Sequence, residues 1–194
     1  MTDFPPFNDR KNGFMTKVKL TQKDLILILN STTQVWLPDT DLQELSLRHA
    51  NLQRAQLQRT DLRSADLSGA DLHDARMQGA NLQASKLQNT DLSFAHLMSI
   101  DLRSADLQHS KLINADLKNA DLRSADLRFA RLQNADLRSA DLRFAKLQGA
   151  NLKGADLRHA KLQGADLREA ELQDAKLDKA ELKGARGIHG MEPV

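Results

Sequence analysis

A leucine recurs every five residues from Leu42 to Leu182, and this period constrains the fold more than any other feature of the chain. Of the 29 central positions in that tract, 28 are leucine and one is methionine, Met77. Apolar residues five apart drift around an α-helix and alternate between the faces of a straight strand, so neither element collects them on one side. The chain must therefore turn a corner once per repeat, which predicts a solenoid with the leucines inside.

Two further positions of the repeat locate the core and the corner. The residue two before each centre is alanine at 23 of the 28 places between positions 50 and 185, and the oversized exception, Ile100, predicts a local bulge. All six glycines of the tract lie two residues after a centre, as Gly69 does, and four asparagines share that phase. Because glycine and asparagine tolerate the backbone angles of tight turns, we expect the corner there.

The charge pattern indicates how many corners close one coil. From Asp121 onward, the residue before the centre nearly repeats as acid, acid, base, so the charge pattern has a period of three repeats. A three-sided coil would stack the cations of that pattern over one another, and like charges on paired strands destabilise each other. A four-sided coil, made of four repeats, instead places Lys146 between Asp126 and Asp166. Four sides are therefore favoured over three, and five sides stay open.

The repeat resembles the motif of the pentapeptide-repeat family, which is roughly Ala-(Asp/Asn)-Leu-X-X. It reads Ala-Asp-Leu-Ser-Gly at 65–69, Ala-Asp-Leu-Arg-Ser at 120–124 and Ala-Asn-Leu-Lys-Gly at 150–154, and the resemblance covers about three quarters of the chain. It implies the family fold, an all-β solenoid in the form of a right-handed, four-sided parallel β-helix. With four repeats per coil, the tract would form about seven coils.

Four segments are expected along the chain: a flexible N-terminal segment at 1–15, an N-terminal cap at 16–36, the β-helix at 37–186 and a C-terminal tail at 187–194. In the cap, Thr21 and Asp24 match a helix N-cap with an acid at the third position, which favours a short helix over residues 22–30. A strand is the alternative, because an Ile-rich run bounded by polar residues also fits one. In either form the segment would cover the apolar core at the first coil.

Composition excludes or disfavours several functions. The chain has no cysteine, which excludes disulfides and thiol chemistry. The histidines show no ligand spacing, and no phosphate loop or nucleophile motif is present, so we expect no metal, no cofactor and no enzymatic activity. No apolar run is long enough to span a membrane and no signal-peptide pattern is present, which predicts a cytoplasmic protein without membrane contact.

Two surface features are candidates for binding a partner. In a four-sided coil, Arg103, Arg123 and Arg143 would stack on one face beside aspartates. There they would either dock an acidic partner or a phosphate, or form an ion-pair lattice. Phe129 and Phe144 occupy the corner phase, where side chains face water, on neighbouring corners of successive coils. These five residues form the predicted interaction surface.

The phenylalanines also have a simpler explanation, since residues 119–133 recur almost verbatim as 134–148 and a duplication would copy the ring.

These features predict a non-catalytic protein-interaction module whose partner the sequence does not identify. The family resemblance implies an alternative, because some members bind and protect DNA gyrase as DNA mimics, and mimicry requires a dense negative field. The tract from Asp41 to Arg186 contains 23 basic and 21 acidic residues, so its charge opposes mimicry. Aspartate interleaves nearly every arginine, which argues against direct nucleic-acid binding. An uncapped C-terminal coil predicts a homodimer joined through that end.

Overall fold

The computed structural model describes residues 17–31 and 34–188. The predicted flexible segment at 1–15 and all but two residues of the predicted tail at 187–194 lie outside the described residues. The described elements are strand β1 (Val18–Lys19), helix α1 (Gln22–Ser31) and strand β2 (Thr40–Asp41). The rest of the described chain is a continuous series of turns and single parallel bridges.

Parallel bridges join the residue directly before each central leucine to the residue twenty positions later. The series runs without a change of register from Trp36 to Arg186. Twenty residues per coil with one corner every five residues make four sides, and this register excludes the three-sided and five-sided coils. Lys146 lies between Asp126 and Asp166 in its column, as the charge pattern predicted.

Each corner is a turn of four residues that begins at the central leucine. The carbonyl of Leu47, for example, accepts a hydrogen bond from the N–H of Ala50 at 3.1 Å. The third residue of the turn is left-handed, with φ of 55° at His49 and 68° at Gly69. A positive φ at this position fits a type II turn, which glycine adopts without steric cost. The glycines therefore mark corners, as predicted, although larger side chains hold the same conformation elsewhere.

The central leucines and the small residues before them form stacked ladders inside the coil. Leu122 is fully buried, and so are most of the other centres and alanines. Ile100 is also buried, and the bonds from the N–H of Asp101 to Ala80 and from the N–H of Asp121 to Ile100 are 3.0 and 2.9 Å long. The bulge expected at Ile100 is therefore absent, because the backbone ladder keeps its register on both sides of this residue.

Helix α1 begins with the side-chain arrangement that the sequence suggested. The hydroxyl of Thr21 accepts the N–H of Asp24 at 3.2 Å, and the Asp24 carboxylate accepts the N–H of Thr21 at 2.9 Å. The segment is thus a helix and not the alternative strand, and it ends at Ser31, one residue beyond the expected range. Leu25 is fully buried against the core, whereas the two residues after it are exposed.

Strand β1 adds a short rung beneath the first coil. It pairs in parallel with β2, so that Val18 lies beside Thr40 and Lys19 lies beside Asp41. Leu20 follows and is buried at the level of the central leucines. The sequence did not predict this strand, because two residues are too few to show an alternating pattern.

Candidate interaction surface

The outward residues of each side are the residue before the centre and the residue after it. In the coil formed by residues 121–140 these pairs are Asp121 and Arg123, Asp126 and Arg128, Arg131 and Gln133, and Asp136 and Arg138. We number the sides 1 to 4 in that order, and residues twenty positions apart share a side. The three predicted arginines therefore all lie on side 1, stacked as expected.

Each of the three arginines binds the aspartate of its own coil, and Arg103 and Arg123 also lie near the aspartate of the next coil. Nε and Nη2 of Arg123 donate to the carboxylate of Asp121 at 2.8 and 2.6 Å, and the backbone N–H of Arg123 donates to the same group at 3.2 Å. Arg123 Nε also lies 3.8 Å from Oδ2 of Asp141 in the next coil. Arg103 and Arg143 bind the aspartate two residues before them in the same way. These arginines form an ion-pair lattice.

The lattice keeps Asp101 and Asp141 ionised. Partial burial raises the pKa of Asp101, but hydrogen bonds from the side chain and N–H of Arg103 lower it by more, so the pKa lies below its usual value. The same balance lowers the pKa of Asp141 beside Arg143. A carboxylate with a lowered pKa carries no proton at neutral pH, so these groups are poor general acids.

An equivalent lattice on side 4 was not anticipated from the sequence. Arg138 binds Asp136 at 2.7 Å, and its Nε lies 3.8 Å from Asp156 in the next coil. Lys118 lies 3.2 Å from Asp116 and 3.8 Å from Asp136. The signal was available, because an aspartate followed two positions later by a cation recurs here once in every four repeats. Two adjoining sides therefore each hold the cations of three successive coils in ion pairs.

Phe129 and Phe144 lie at corners and are 51% and 67% exposed. Each ring leans over the glycine twenty residues later: a Cβ on Gly149 would lie 2.7 Å from the ring of Phe129, and a Cβ on Gly164 would lie 2.8 Å from that of Phe144. His109, one coil earlier, stacks on Phe129 with ring centroids 5.2 Å apart. Both rings thus contact the corner of the next coil and keep at least half of their surface exposed.

The corners decide which of the predicted residues are neighbours. Phe144 directly follows Arg143, at the corner between sides 1 and 2, so it borders the arginine lattice. Phe129 lies at the corner between sides 2 and 3, and side 2 separates it from the arginines. A third exposed phenylalanine, Phe94, lies at the corner between sides 3 and 4 and contacts His73 edge to face.

Neither a metal-binding cluster nor a membrane-spanning helix is present within residues 17–31 and 34–188. No group of three or more histidines, aspartates or glutamates in these ranges is placed to hold a metal ion. In the same ranges, no helix has the length and apolar character needed to cross a membrane.

The family model of pentapeptide repeats matches the chain in eight copies, over residues 40–79, 75–99, 100–138, 135–174 and 150–186. The chain therefore belongs to the pentapeptide-repeat family. The family fold is a right-handed quadrilateral β-helix, which agrees with the four-sided register of the bridges. The predicted family and the predicted solenoid type are both confirmed.

Two solved structures illustrate the similarity. HetL, a pentapeptide repeat protein involved in heterocyst differentiation regulation from the cyanobacterium Nostoc sp. strain PCC 7120, is 31% identical to this chain; the match covers 87% of this chain and 98% of HetL, with a TM-score of 0.35. QnrB1, a plasmid-mediated fluoroquinolone resistance protein, is 17% identical over 88% of this chain and 91% of QnrB1, with a TM-score of 0.56. The likeness to QnrB1 shows a shared fold. No curated protein matches the chain significantly.

Proposed function

We propose that this chain is a non-catalytic, cytoplasmic protein-interaction module whose contact surface includes Phe129 and Phe144. The observation that carries the proposal is the exposure of both rings at corners, where glycine, asparagine and serine are commonest. Exposed aromatic side chains are enriched at protein contact surfaces. The family match supports the proposal, because pentapeptide-repeat proteins are generally structural or interaction modules and no catalytic family is indicated.

The arginines of side 1 contribute to this surface as fixed polar groups. Arg143 borders Phe144, and Arg103 and Arg123 continue the same column. Each guanidinium already binds a carboxylate, so it offers a partner only its outer N–H groups. A side chain held in one geometry loses little rotamer freedom on binding, which reduces the entropic cost of a contact.

Affinity purification from the native host tests the surface. We expect a partner to be retained by the wild-type protein and lost by the double variant Phe129→Ser/Phe144→Ser. Phe94→Ser is the matched control, because Phe94 is also a corner phenylalanine and is 49% exposed. Retention of the partner by the double variant, or its equal loss with Phe94→Ser, would show that the surface is wrong.

The second candidate function is that of a DNA mimic that binds and modulates or protects DNA gyrase. It is favoured by the fold shared with QnrB1, a fluoroquinolone resistance protein. Charge opposes it, because a mimic needs a dense negative field and the lattices of sides 1 and 4 neutralise their aspartates. A gyrase supercoiling assay with and without a quinolone decides between the candidates. Protection at equimolar protein would establish the second candidate and displace the first.

We also propose that the solenoid has about seven coils, with α1 covering its N-terminal end and a homodimer formed through its C-terminal coil. In that coil, the N–H groups of Leu172, Leu177 and Leu182 have no backbone partner within the described residues. Unpaired strand edges favour pairing with another edge, which supports association of two such ends. Light scattering coupled to size exclusion tests this, and a monomer at micromolar concentration would exclude the dimer.

A further inference from the structure

Side 3 lacks the aspartate–arginine pairing that holds the other three sides. In the coil 121–140, Arg123, Arg128 and Arg138 each bind the aspartate two residues before them. On side 3 the corresponding residues are Arg131 and Gln133, so an arginine occupies the position that aspartate fills elsewhere. Within the described residues, the side chain of Arg131 makes no hydrogen bond or ion pair.

The absence of acid extends over three successive coils of side 3. The Arg131 patch consists of the outward residues Lys111, Ile113, Arg131, Gln133, Asn151 and Lys153. It contains three cations and no carboxylate. The corners that flank it lack acids as well, with His109 and Phe129 on one edge and Asn114 and Asn134 on the other. This is a local excess of positive charge on a protein whose charges are otherwise nearly balanced.

The two cations at the centre of the patch are placed where they repel each other. Lys111 and Arg131 are bridge partners on adjacent coils, and theirs is the one bridge in the described chain that joins two lysine or arginine residues. Like charges opposite each other on paired strands are destabilising. Lys146, by contrast, lies between two aspartates in its column. Arg76 also lacks an acid neighbour in its column, but Asp74 precedes it at the corner.

Acidic residues border the patch and define its extent. Below it, Nζ of Lys111 lies 3.0 Å from Asp91, and above it, Nζ of Lys153 lies 2.9 Å from Glu171. Lys111, Lys153 and Glu171 are about half exposed and Asp91 is partly exposed, and ion pairs this accessible to water are weak enough to exchange for a ligand. The three coils between these acids span two steps of about 4.8 Å, so the patch is about 10 Å tall.

We propose that the Arg131 patch binds a short acidic segment of a partner protein. Arg131 supplies a free guanidinium that can bind a carboxylate in bidentate geometry, and Lys111 and Lys153 supply flanking charges. Alternate side chains of an extended peptide are about 6.6 Å apart, so two carboxylates fit the height of the patch. The inference rests on the proposed interaction function, and Phe129 of that interaction surface borders the patch.

A peptide fits this patch better than a nucleic acid does. Asp91 and Glu171 close its two ends, and Asp126 and Asp136 lie on the adjoining sides 2 and 4. A nucleic acid carries a phosphate at every nucleotide, so any strand longer than the patch would meet these carboxylates. A peptide with only two or three acidic residues avoids them.

Fluorescence anisotropy with a fluorescein-labelled, C-terminally amidated peptide of sequence Ser-Glu-Gly-Glu-Ser, whose two carboxylates match the height of the patch, tests the inference on the full chain. We expect saturable binding that weakens with added salt, because the contacts are between exposed charges. Arg131→Gln should weaken binding by about tenfold, since it removes the charge-assisted hydrogen bonds at the centre of the patch. Arg138→Gln is the matched control, because that arginine is held by Asp136 on side 4, and it should change binding by less than about twofold.

Arg131→Asp separates folding from binding. It restores on side 3 the residue that the other sides carry in this coil, so the coil should remain intact by circular dichroism while binding of the acidic peptide is lost. Absence of binding by the wild-type protein, equal binding by Arg131→Gln, or equally tight binding of labelled hexathymidylate would each overturn the inference. If any of these occurs while Phe129→Ser/Phe144→Ser still loses its host partner, the acidic-segment inference fails and the proposed function stands.

Discussion

Replacing Gly149 with alanine tests how the corner rings rest on the next coil. At Gly149 φ is +64°, and an added Cβ would lie 2.7 Å from the ring of Phe129. That separation is too short for carbon atoms in contact, so the ring must move away. Gly79→Ala is the matched control: its φ is +65°, and the nearest atom to an added Cβ is Cγ of Arg59 at an ordinary 3.6 Å.

The expected difference in stability follows from comparing the two substitutions. Both place alanine in the left-handed region, at a cost of about 1 kcal/mol that is partly offset by the lower entropy of the unfolded chain. Only Gly149→Ala also displaces Phe129, whose side chain is half-buried. Moving that ring into water would expose on the order of 40 Å² of apolar surface, or about 1 kcal/mol at ~25 cal/mol/Å². Gly149→Ala should therefore be about 1 kcal/mol less stable than Gly79→Ala.

Urea unfolding followed by far-ultraviolet circular dichroism measures this difference. In a Phe129→Ser background the ring is gone, so Gly149→Ala should cost no more than Gly79→Ala does in the wild-type protein. The double-mutant cycle should give a coupling energy of about 1 kcal/mol between positions 129 and 149. An equal loss of unfolding free energy for the two glycine substitutions in the wild-type background would refute the reasoning. The ring of Phe129 would then contribute nothing to the stability of the coil.

Arg131→Asp should raise the thermal midpoint and stabilise the fold by about 0.5–1 kcal/mol, because the carboxylate would accept the N–H two residues on and lie opposite Lys111. Asp166→Asn should reduce the loss of stability in acid. The hydrogen bond from Arg168 lowers the pKa of Asp166 to about 2, so the stability that its carboxylate contributes at neutral pH is lost as the pH falls from about 4 to about 2. Thermal midpoints measured across that range test this. Thr21→Ala should speed hydrogen exchange of the α1 amides by about fivefold, because the helix loses its N-cap, and should leave the coils unchanged.

The opposite result for each of these three variants would contradict a particular contact. A lower thermal midpoint for Arg131→Asp would mean that repulsion between Arg131 and Lys111 does not destabilise the fold. If Asp166→Asn leaves the pH dependence of the thermal midpoint unchanged, other aspartates must account for the loss of stability in acid. Faster exchange throughout the coils in Thr21→Ala would mean that α1 and the solenoid unfold together.

Much of the architecture could be predicted because its causes are local in the sequence. The inward leucines and the corner at Gly69 depend only on positions within one repeat. The N-cap of α1 depends on Thr21 and Asp24, which are close neighbours along the chain. Strand β1 was missed because it pairs with β2, which follows only after the whole of α1, and the bulge expected at Ile100 was wrong because the ladder accommodates the larger side chain without a change of register.

The charge environment of surface residues could not be predicted from the local sequence alone. Residues 119–133 and 134–148 are nearly identical, yet the offset between them is three repeats whereas a coil takes four, so equivalent residues lie on different sides. Arg131 therefore has Lys111 and Asn151 as column neighbours, whereas its counterpart Lys146 has two aspartates.

The sequence by itself determined that the chain coils, which residues point inward and where the corners lie, because each of these follows from a five-residue pattern. Only the tertiary structure decided which charges are paired and which are free, and toward which coil each side chain leans. Contacts such as those of Lys111 with Asp91 and of Arg123 with Asp141 join residues about one full coil apart along the chain, and their energies depend on distances and orientations that a repeat pattern does not contain.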